Sequence, residues 1–302
     1  MQKPRVLVIG SANTDMVVKT SRLPKPGETI LGGDFFLFPG GKGANQAVAA
    51  ARLEGEVTFV CNLGNDVFGK ESLAGFEKDK INTSLIGLED GKPSGVAVIT
   101  VNENAENTIV VAPGANVSLT SEKILKIEAS FQAADIILTQ LETPIGSTEV
   151  IANLAKKYNK KLVLNPAPAN ELSANILNGL FLITPNETET ELLTGVYPDS
   201  IEKCKEAAAI FLKKGVENII ITLGKQGAFY ASKNENFLIE SEKVKAIDTT
   251  AAGDVFNGAL TVSLAQNKSW KQSIAFANKA AAISVTRMGA QSSAPYLTEL
   301  KN

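Results

Sequence analysis

Short β-branched apolar runs alternate with amphipathic stretches from one end of the chain to the other. VLVIG (6–10), VTFVCNLG (57–64), DIILTQ (135–140), KLVLNPAP (161–168), LFLITPN (180–186) and NIIITLG (218–224) have the continuous apolar character of strands buried on both faces. Between them, GANQAVAAARL (43–53), EKILKIEASF (122–131), TEVIANLAKKY (148–158) and IEKCKEAAAIFLKK (201–214) repeat apolar residues at helical spacing. Two further helical runs, AAGDVFNGALTVSLAQ (251–266) and WKQSIAFANKAAAISV (270–285), follow the last strand. The pattern predicts an α/β fold with a mainly parallel central sheet and helices on both faces.

Two stretches break the alternation. Thr20 to Phe38 holds RLPKPGETI and then DFFLF, and Pro93 to Val111 holds GVAVITV and NTIVV around a polar NENAEN turn. Both have the pattern of strand pairs without a crossover helix, which cannot sit inside a parallel sheet. They are expected to form a small second sheet, a lid over the ligand-binding edge, drawn from about 14–38 and 93–112 of a single domain spanning 1–302.

Composition narrows the chemistry more than the fold. The 30 Lys and Arg against 32 Asp and Glu give a net charge of −2, which argues against a basic nucleic-acid binder. The chain has no histidine, so Ser-His-Asp and Cys-His nucleophilic sites and His-ligated metals are excluded, and if the protein is an acid–base enzyme a carboxylate is the expected proton acceptor. Cys61 and Cys204 lack metal-ligand spacing and read as free thiols in a reducing compartment. No apolar run approaches the ~18 residues of a membrane span, and the start MQKPRVLVIG is too short in apolar residues for a signal peptide, so a cytoplasmic location without a membrane partner is expected.

Two glycine-containing turns open helices. GGKGANQAVAAARL (40–53) is not a P-loop, because Lys42 is followed by Gly43, and it fails GxGxxG because Gln46 stands at the third glycine. It can be a tight turn packed on the sheet, or a place where a ligand approaches the backbone near Lys42 and Asn45. DTTAAGDVFNGA (248–259) is more specific: Ala251, Ala252 and Gly253 precede a helix whose first turn carries Asp254. Unpaired amides there can hold a phosphoryl oxygen while the carboxylate takes a proton from an attacking hydroxyl, although Asp254 can also simply offset the helix dipole. In TPNETETELL (184–193), Asn186 and Glu189 have capping-box spacing. ITLGKQG (221–227) is a strand running into a glycine turn, and Asn13 and Asp15 suit either hydroxyl binding or an Asx-turn.

These segments, with PGET (26–29), QLETP (140–144), LNPAPA (164–169) and GAQSSAP (289–295), resemble the ribokinase family of sugar and nucleoside kinases over essentially the whole chain. The resemblance implies ATP-dependent phosphorylation of D-ribose at its 5-hydroxyl. Its rivals are another sugar or nucleoside kinase of the family and a non-catalytic sugar-binding regulator. It implies that Asn13, Asp15, Gly41, Lys42, Gly43, Asn45 and Glu142 hold the sugar, and that Asn186, Thr222, Leu223, Gly224, Lys225, Gln226, Gly227 and Asn278 contact ATP. Asp254 would be the base, with the amides of Ala252 and Gly253 after Ala251 as an anion hole. Glu189 would organise Mg2+ through water, and Asp248, Thr250, Ser284, Arg287, Gly289 and Ser293 would surround K+. Asn278 departs from relatives that carry His beside the adenine. A homodimer formed through the lid is also implied, and the exposed apolar strands of such a lid point the same way.

Overall fold

The computed structural model describes residues 3–104 and 106–300. The chain begins β1 (Arg5–Ile9), β2 (Asn13–Lys19), β3 (Phe35–Gly40), α1 (Lys42–Arg52), β4 (Glu56–Val60), β5 (Asn62–Gly64), α2 (Val67–Lys78), β6 (Gly87–Glu89), β7 (Gly95–Val101) and β8 (Asn107–Ala112). It continues α3 (Ser121–Lys126), α4 (Glu128–Ala133), β9 (Ile136–Thr139), α5 (Ile145–Lys157), β10 (Lys161–Leu164), α6 (Ala174–Leu177) and β11 (Leu182–Ile183). The last third is α7 (Glu187–Thr194), α8 (Ile201–Lys213), β12 (Asn218–Thr222), β13 (Ala228–Ser232), β14 (Asn236–Ile239), α9 (Ala252–Ala265) and α10 (Trp270–Ser284).

The main sheet has eight strands in the order β14-β13-β12-β11-β10-β9-β1-β4. From β12 to β4 all neighbours are parallel, whereas β13 and β14 form an antiparallel hairpin at one edge. The period-two pleat explains the apolar strands: Val6 and Val8 face a core shared with α1, α9 and α10, while Leu7 and Ile9 face a second core shared with α5 and α8. Both cysteines are buried free thiols, Cys61 in the first core and Cys204 in the second. Among the described residues no helix is long and apolar enough to cross a membrane.

The second sheet exists, in the order β3-β2-β7-β8, but its strands differ from expectation. RLPKPGETI forms no strand; Pro24 and Pro26 remove two ladder donors, and β3 instead pairs antiparallel with β2, whose Asn13 and Asp15 therefore lie on a strand and not in a turn. The β2–β3 and β7–β8 hairpins are joined through a parallel β2–β7 pair. VTFVCNLG is broken at Cys61 into β4 and β5, and EKILKIEASF is broken at Ile127 into α3 and α4. Helix α2 and the β13–β14 hairpin have no counterpart in the sequence reading.

Candidate active site

Strand β1 ends at the carboxyl edge of the sheet, and Gly10 to Ala12 carry the chain straight into β2. This crowding sets the glycine requirement of the next segment. Gly41 has φ +86°, and a Cβ there would lie 2.6 Å from the Asn13 nitrogen; a Cβ on Gly43 would lie 2.5 Å from the Ser11 nitrogen. Only a bare backbone lets α1 start against the β1–β2 connection, and that placement delivers Lys42, Asn45 and Gln46 to one cluster.

Glu142, after β9, accepts from Ser11 Oγ at 2.5 Å and from the Lys42 amide at 2.9 Å. Asp15 sits beside Gly40, where any side chain would collide with its carboxylate at 2.4 Å. Buried Asn13 accepts from Asn116 Nδ2 at 2.7 Å, and Asn116 also brackets the backbone of Ala12. At the opposite wall, Asp254 is only 6% exposed in the first turn of α9. Its oxygens accept from Asn45 Nδ2 and Gln46 Nε2, each at 2.9 Å. The Asn45 Oδ1 is buried and has no hydrogen-bond partner among the described residues.

Three carboxylates surround one ammonium, and Asp15, Asp254 and Lys42 feel the charges of the others. Burial, reinforced by the charges of Glu142 and Asp254 and opposed by Lys42, pushes Asp15 up to about 6. Burial also raises Asp254 above the usual carboxylate range, against the pull of Lys42, Asn45 and Gln46. Lys42 feels burial in the other direction, yet Asp254, Glu142, Glu189 and Asp15 together hold its pKa above the ordinary lysine value. The cluster therefore keeps one cation beside a buried carboxylate.

Helix α9 begins at Ala251, whose left-handed φ of 60° turns the chain into the helix. Its first-turn amides have no carbonyl a full turn back within the helix. The Ala252 amide makes a 3.2 Å bond to the Thr249 carbonyl, so the anion hole expected of Ala252 and Gly253 is half engaged in a turn. Beside Ala252 and Gly253 opens a cavity of about 870 Å³, also lined by Asn186, Thr222, Gly224, Lys225, Gln226, Gly227 and Asn278. Leu223 is the exception among the residues expected at ATP: its side chain is buried in the core, as the pleat of the strand before it dictates. Gly227 has φ +103°, and a Cβ would strike the Ile239 carbonyl at 2.1 Å. Asn278 Nδ2 donates to Ile239 and Glu240, so it ties down this wall of the cavity.

Asn186 and Glu189 do form a capping box on α7: the Asn186 side chain accepts from the Glu189 amide at 2.8 Å, and the Glu189 carboxylate accepts from the Asn186 amide at 2.9 Å. Burial raises the Glu189 pKa, with the Asn186 amide and Lys42 opposing. Farther along, Asp248 accepts from the Thr250 amide and hydroxyl at 2.9 and 2.6 Å and from the Gly289 amide at 2.9 Å. Burial opposes ionisation there, but these bonds outweigh it and lower the pKa. The Ser284 carbonyl receives the Arg287 amide at 3.0 Å, the Arg287 guanidinium turns to Glu299, and buried Ser293 donates to the Ala290 carbonyl at 2.7 Å. Among the described residues no group of three or more His, Cys, Asp or Glu is arranged to hold a metal ion.

Ser11, Gln46, Asn116, Gln140 and Asn165 also build the site and were not identified from the sequence. Gln46, Gln140 and Asn165 stood inside recognised segments without being given a role, whereas Ser11 and Asn116 are brought in by pairings more than a hundred residues apart, which no local pattern reveals.

The model of the pfkB family of carbohydrate kinases matches residues 3–297. The chain belongs to the pfkB carbohydrate kinase family. It is 46% identical to the ribokinase of Haemophilus influenzae over 95% of this chain and 94% of that protein. It is also 36% identical to the deoxyribokinase of Salmonella typhi, over 97% and 96% of the two chains. The solved structure of Arabidopsis thaliana ribokinase complexed with ribose and ATP superposes with a TM-score of 0.93 at 30% identity, covering 99% of this chain and 98% of that one. The pfkB fold thus accounts for the parallel sheet.

Proposed function

We propose that this pfkB kinase transfers the γ-phosphoryl group of ATP to the 5-hydroxyl of D-ribose, giving ribose 5-phosphate and ADP. The observation that carries this reading is the position of Asp254, buried against Asn45 of the polar cluster and directly after Ala252 and Gly253, which line the large cavity at the start of α9. The sugar occupies the polar side, where Asn13, Asp15, Lys42, Asn45 and Glu142 supply donors and acceptors for several hydroxyls. The unpartnered Asn45 oxygen suits a hydroxyl donor, since an orphaned buried acceptor costs about 1–3 kcal/mol until it is satisfied. ATP occupies the cavity. Asp254 takes the hydroxyl proton as the sugar oxygen bonds to the γ-phosphorus and the bond to ADP breaks. The Gly253 amide, and the Ala252 amide once it leaves Thr249, face the oxygens of the transferring group.

Glu189 fits a magnesium ion held through water, as a half-buried carboxylate near the cavity; the ion would neutralise phosphate charge. Potassium is assigned to the Asp248 loop and the 284–293 segment, which the Asp248 carboxylate joins through the Gly289 amide; the ion would steady the loop that leads into the anion hole. The four-stranded sheet would act as a lid over the sugar, since β2 supplies both Asn13 and Asp15. Free buried thiols and the use of ATP fit the cytoplasm.

A panel of ribose, 2-deoxyribose, hexoses and nucleosides assayed for ADP release tests the reading. Ribose is expected to give the highest kcat/KM. A clear preference for 2-deoxyribose, the substrate named for the Salmonella relative, would replace ribose with that sugar, and no release with any of them would remove the activity.

A further inference from the structure

Gln46 is fully buried and does not line the large cavity, yet its side chain is the hub of an amide chain that ends on Asp254. Its Nε2 donates to Asp254 Oδ1 at 2.9 Å and to Asn165 Oδ1 at 3.0 Å, and its Oε1 accepts from Gln140 Nε2 at 2.6 Å. The bond directions are fixed from the ends. Asn165 Nδ2 faces the Thr184 carbonyl at 3.2 Å, which can only accept, so Asn165 must turn its oxygen to Gln46. Gln46 must then turn its NH2 group toward both Asn165 and Asp254, and the Gln140 donor on Oε1 holds it that way.

We propose that Gln46 is a positioning residue for phosphoryl transfer: held by Gln140 and Asn165, its amide fixes the Asp254 carboxylate in one orientation and presents it with a donor only. The inference rests on Asp254 being the proton acceptor proposed above. A protonated carboxyl needs an acceptor for its hydrogen, and neither Gln46 nor Asn45 Nδ2 offers one. The arriving proton is left with the lone-pair direction turned away from both amides. The same donors oppose burial, which raises the Asp254 pKa; Lys42 on α1 helps them, while Glu142 after β9 works against them, and Asp15 on β2 and Glu189 on α7 are the other charges coupled to this carboxylate. The fit is tight on both sides of the amide chain. A Cβ on Gly258 of α9 would lie 2.8 Å from the Gln46 carbonyl oxygen, and a Cβ on Gly10 would lie 2.0 Å from Gln140 Oε1. Asn45 shares the carboxylate but also reaches the sugar cluster, so Gln46 is where orientation of the base separates from substrate binding.

The test is the pH dependence of kcat for Gln46→Met, which keeps the length and approximate volume of the side chain and removes the amide. A hydrogen bond to a charged group is strong enough to move a titration by about one pH unit, so the acid limb should shift upward by about that much, with kcat falling by up to about tenfold at pH values on that limb. KM for the sugar should stay within about threefold, since Gln46 makes no substrate contact. Gln140→Met, which frees the Gln46 amide to rotate, should shift the acid limb the same way by less. An unshifted acid limb in a folded Gln46→Met protein, or a loss confined to KM, overturns the proposal. If thermal unfolding shows that Gln46→Met does not fold, Gln140→Met decides by the same criterion. Asp254→Asn separates the two levels: turnover retained there removes the proton-acceptor reading itself, whereas turnover lost there with a wild-type profile for Gln46→Met removes only the positioning role.

Discussion

Asp254 and Asp15 are both carboxylates pressed out of water, but their functions respond to substitution and pH in separable ways. Asp254→Asn keeps the shape and loses the proton acceptor, so kcat should fall by at least about 100-fold, the lower range for a general base, with ribose and ATP still binding by calorimetry. Asp15 titrates at about 6 instead of 3.8, so its ionised form is a burden on the folded state above the folded value, and that burden disappears as pH falls below the unfolded one. Binding runs the other way. An ionised Asp15 is needed to accept from sugar hydroxyls, so KM for ribose should rise as pH falls through about 6, and Asp15→Asn should flatten that rise. Steady-state KM across this range checks it; a KM independent of pH in the wild type removes Asp15 from the sugar contacts. At this scale the sequence pointed to Lys42, Asn45 and Asp254 within glycine-containing segments and to Asp15 after the first strand, whereas Glu142 came only with the family resemblance. Gln46, Gln140 and Asn165 were given no role, since Asn and Gln are ordinary surface residues until the fold buries them.

Helices α1 and α9 carry Lys42 and Asp254, and their separation decides whether the two can act together. Gly258 is the contact: a Cβ there would meet Ala49 Cβ and the Gln46 carbonyl, both at 2.8 Å. Gly258→Val should lower stability by about 1–3 kcal/mol, typical of overpacking, and lower kcat as well, because the helices are forced apart. Thermal unfolding with parallel kinetics checks this; lost stability with unchanged kcat would uncouple packing from chemistry. The loop from Asp248 to Thr250 feeds directly into the start of α9 and is pinned to Gly289. Potassium is expected to raise kcat more than sodium does, and Asp248→Ala should respond to neither. Rates in the two salts and a bulky organic cation at matched ionic strength decide it, and equal rates discard the cation site. The capping box at Asn186 was legible because capping is written in four consecutive positions. The break at Ile127 was not, because the helix ends there without the glycine or proline that marks a stop in sequence.

The outer strands of the small sheet pose the question of assembly. Phe35, Leu37, Val98, Ile109, Val110 and Val111 are all exposed, and β3 and β8 are open edges. An apolar sheet with unpaired edges is a liability in water, and a second copy of the chain would cover it, so a homodimer through this sheet is expected. Sedimentation should give a dimer, and Val110→Lys should weaken it; a fully active monomer at assay concentration excludes it.

By itself the sequence determined the class of fold and the chemical type of the site. Continuous apolar strands must be buried on both faces, and a chain without histidine leaves a carboxylate as the expected proton acceptor. These are properties of a residue and its near neighbours along the chain. The tertiary structure alone decided that Asn13 and Asp15 lie on a strand paired with β3 and β7, that an antiparallel hairpin closes one edge of the sheet, and that Gln46, Gln140 and Asn165 meet behind Asp254. Strand register and buried amide contacts join residues tens to two hundred positions apart, and their energies exist only once the intervening chain has folded and excluded water.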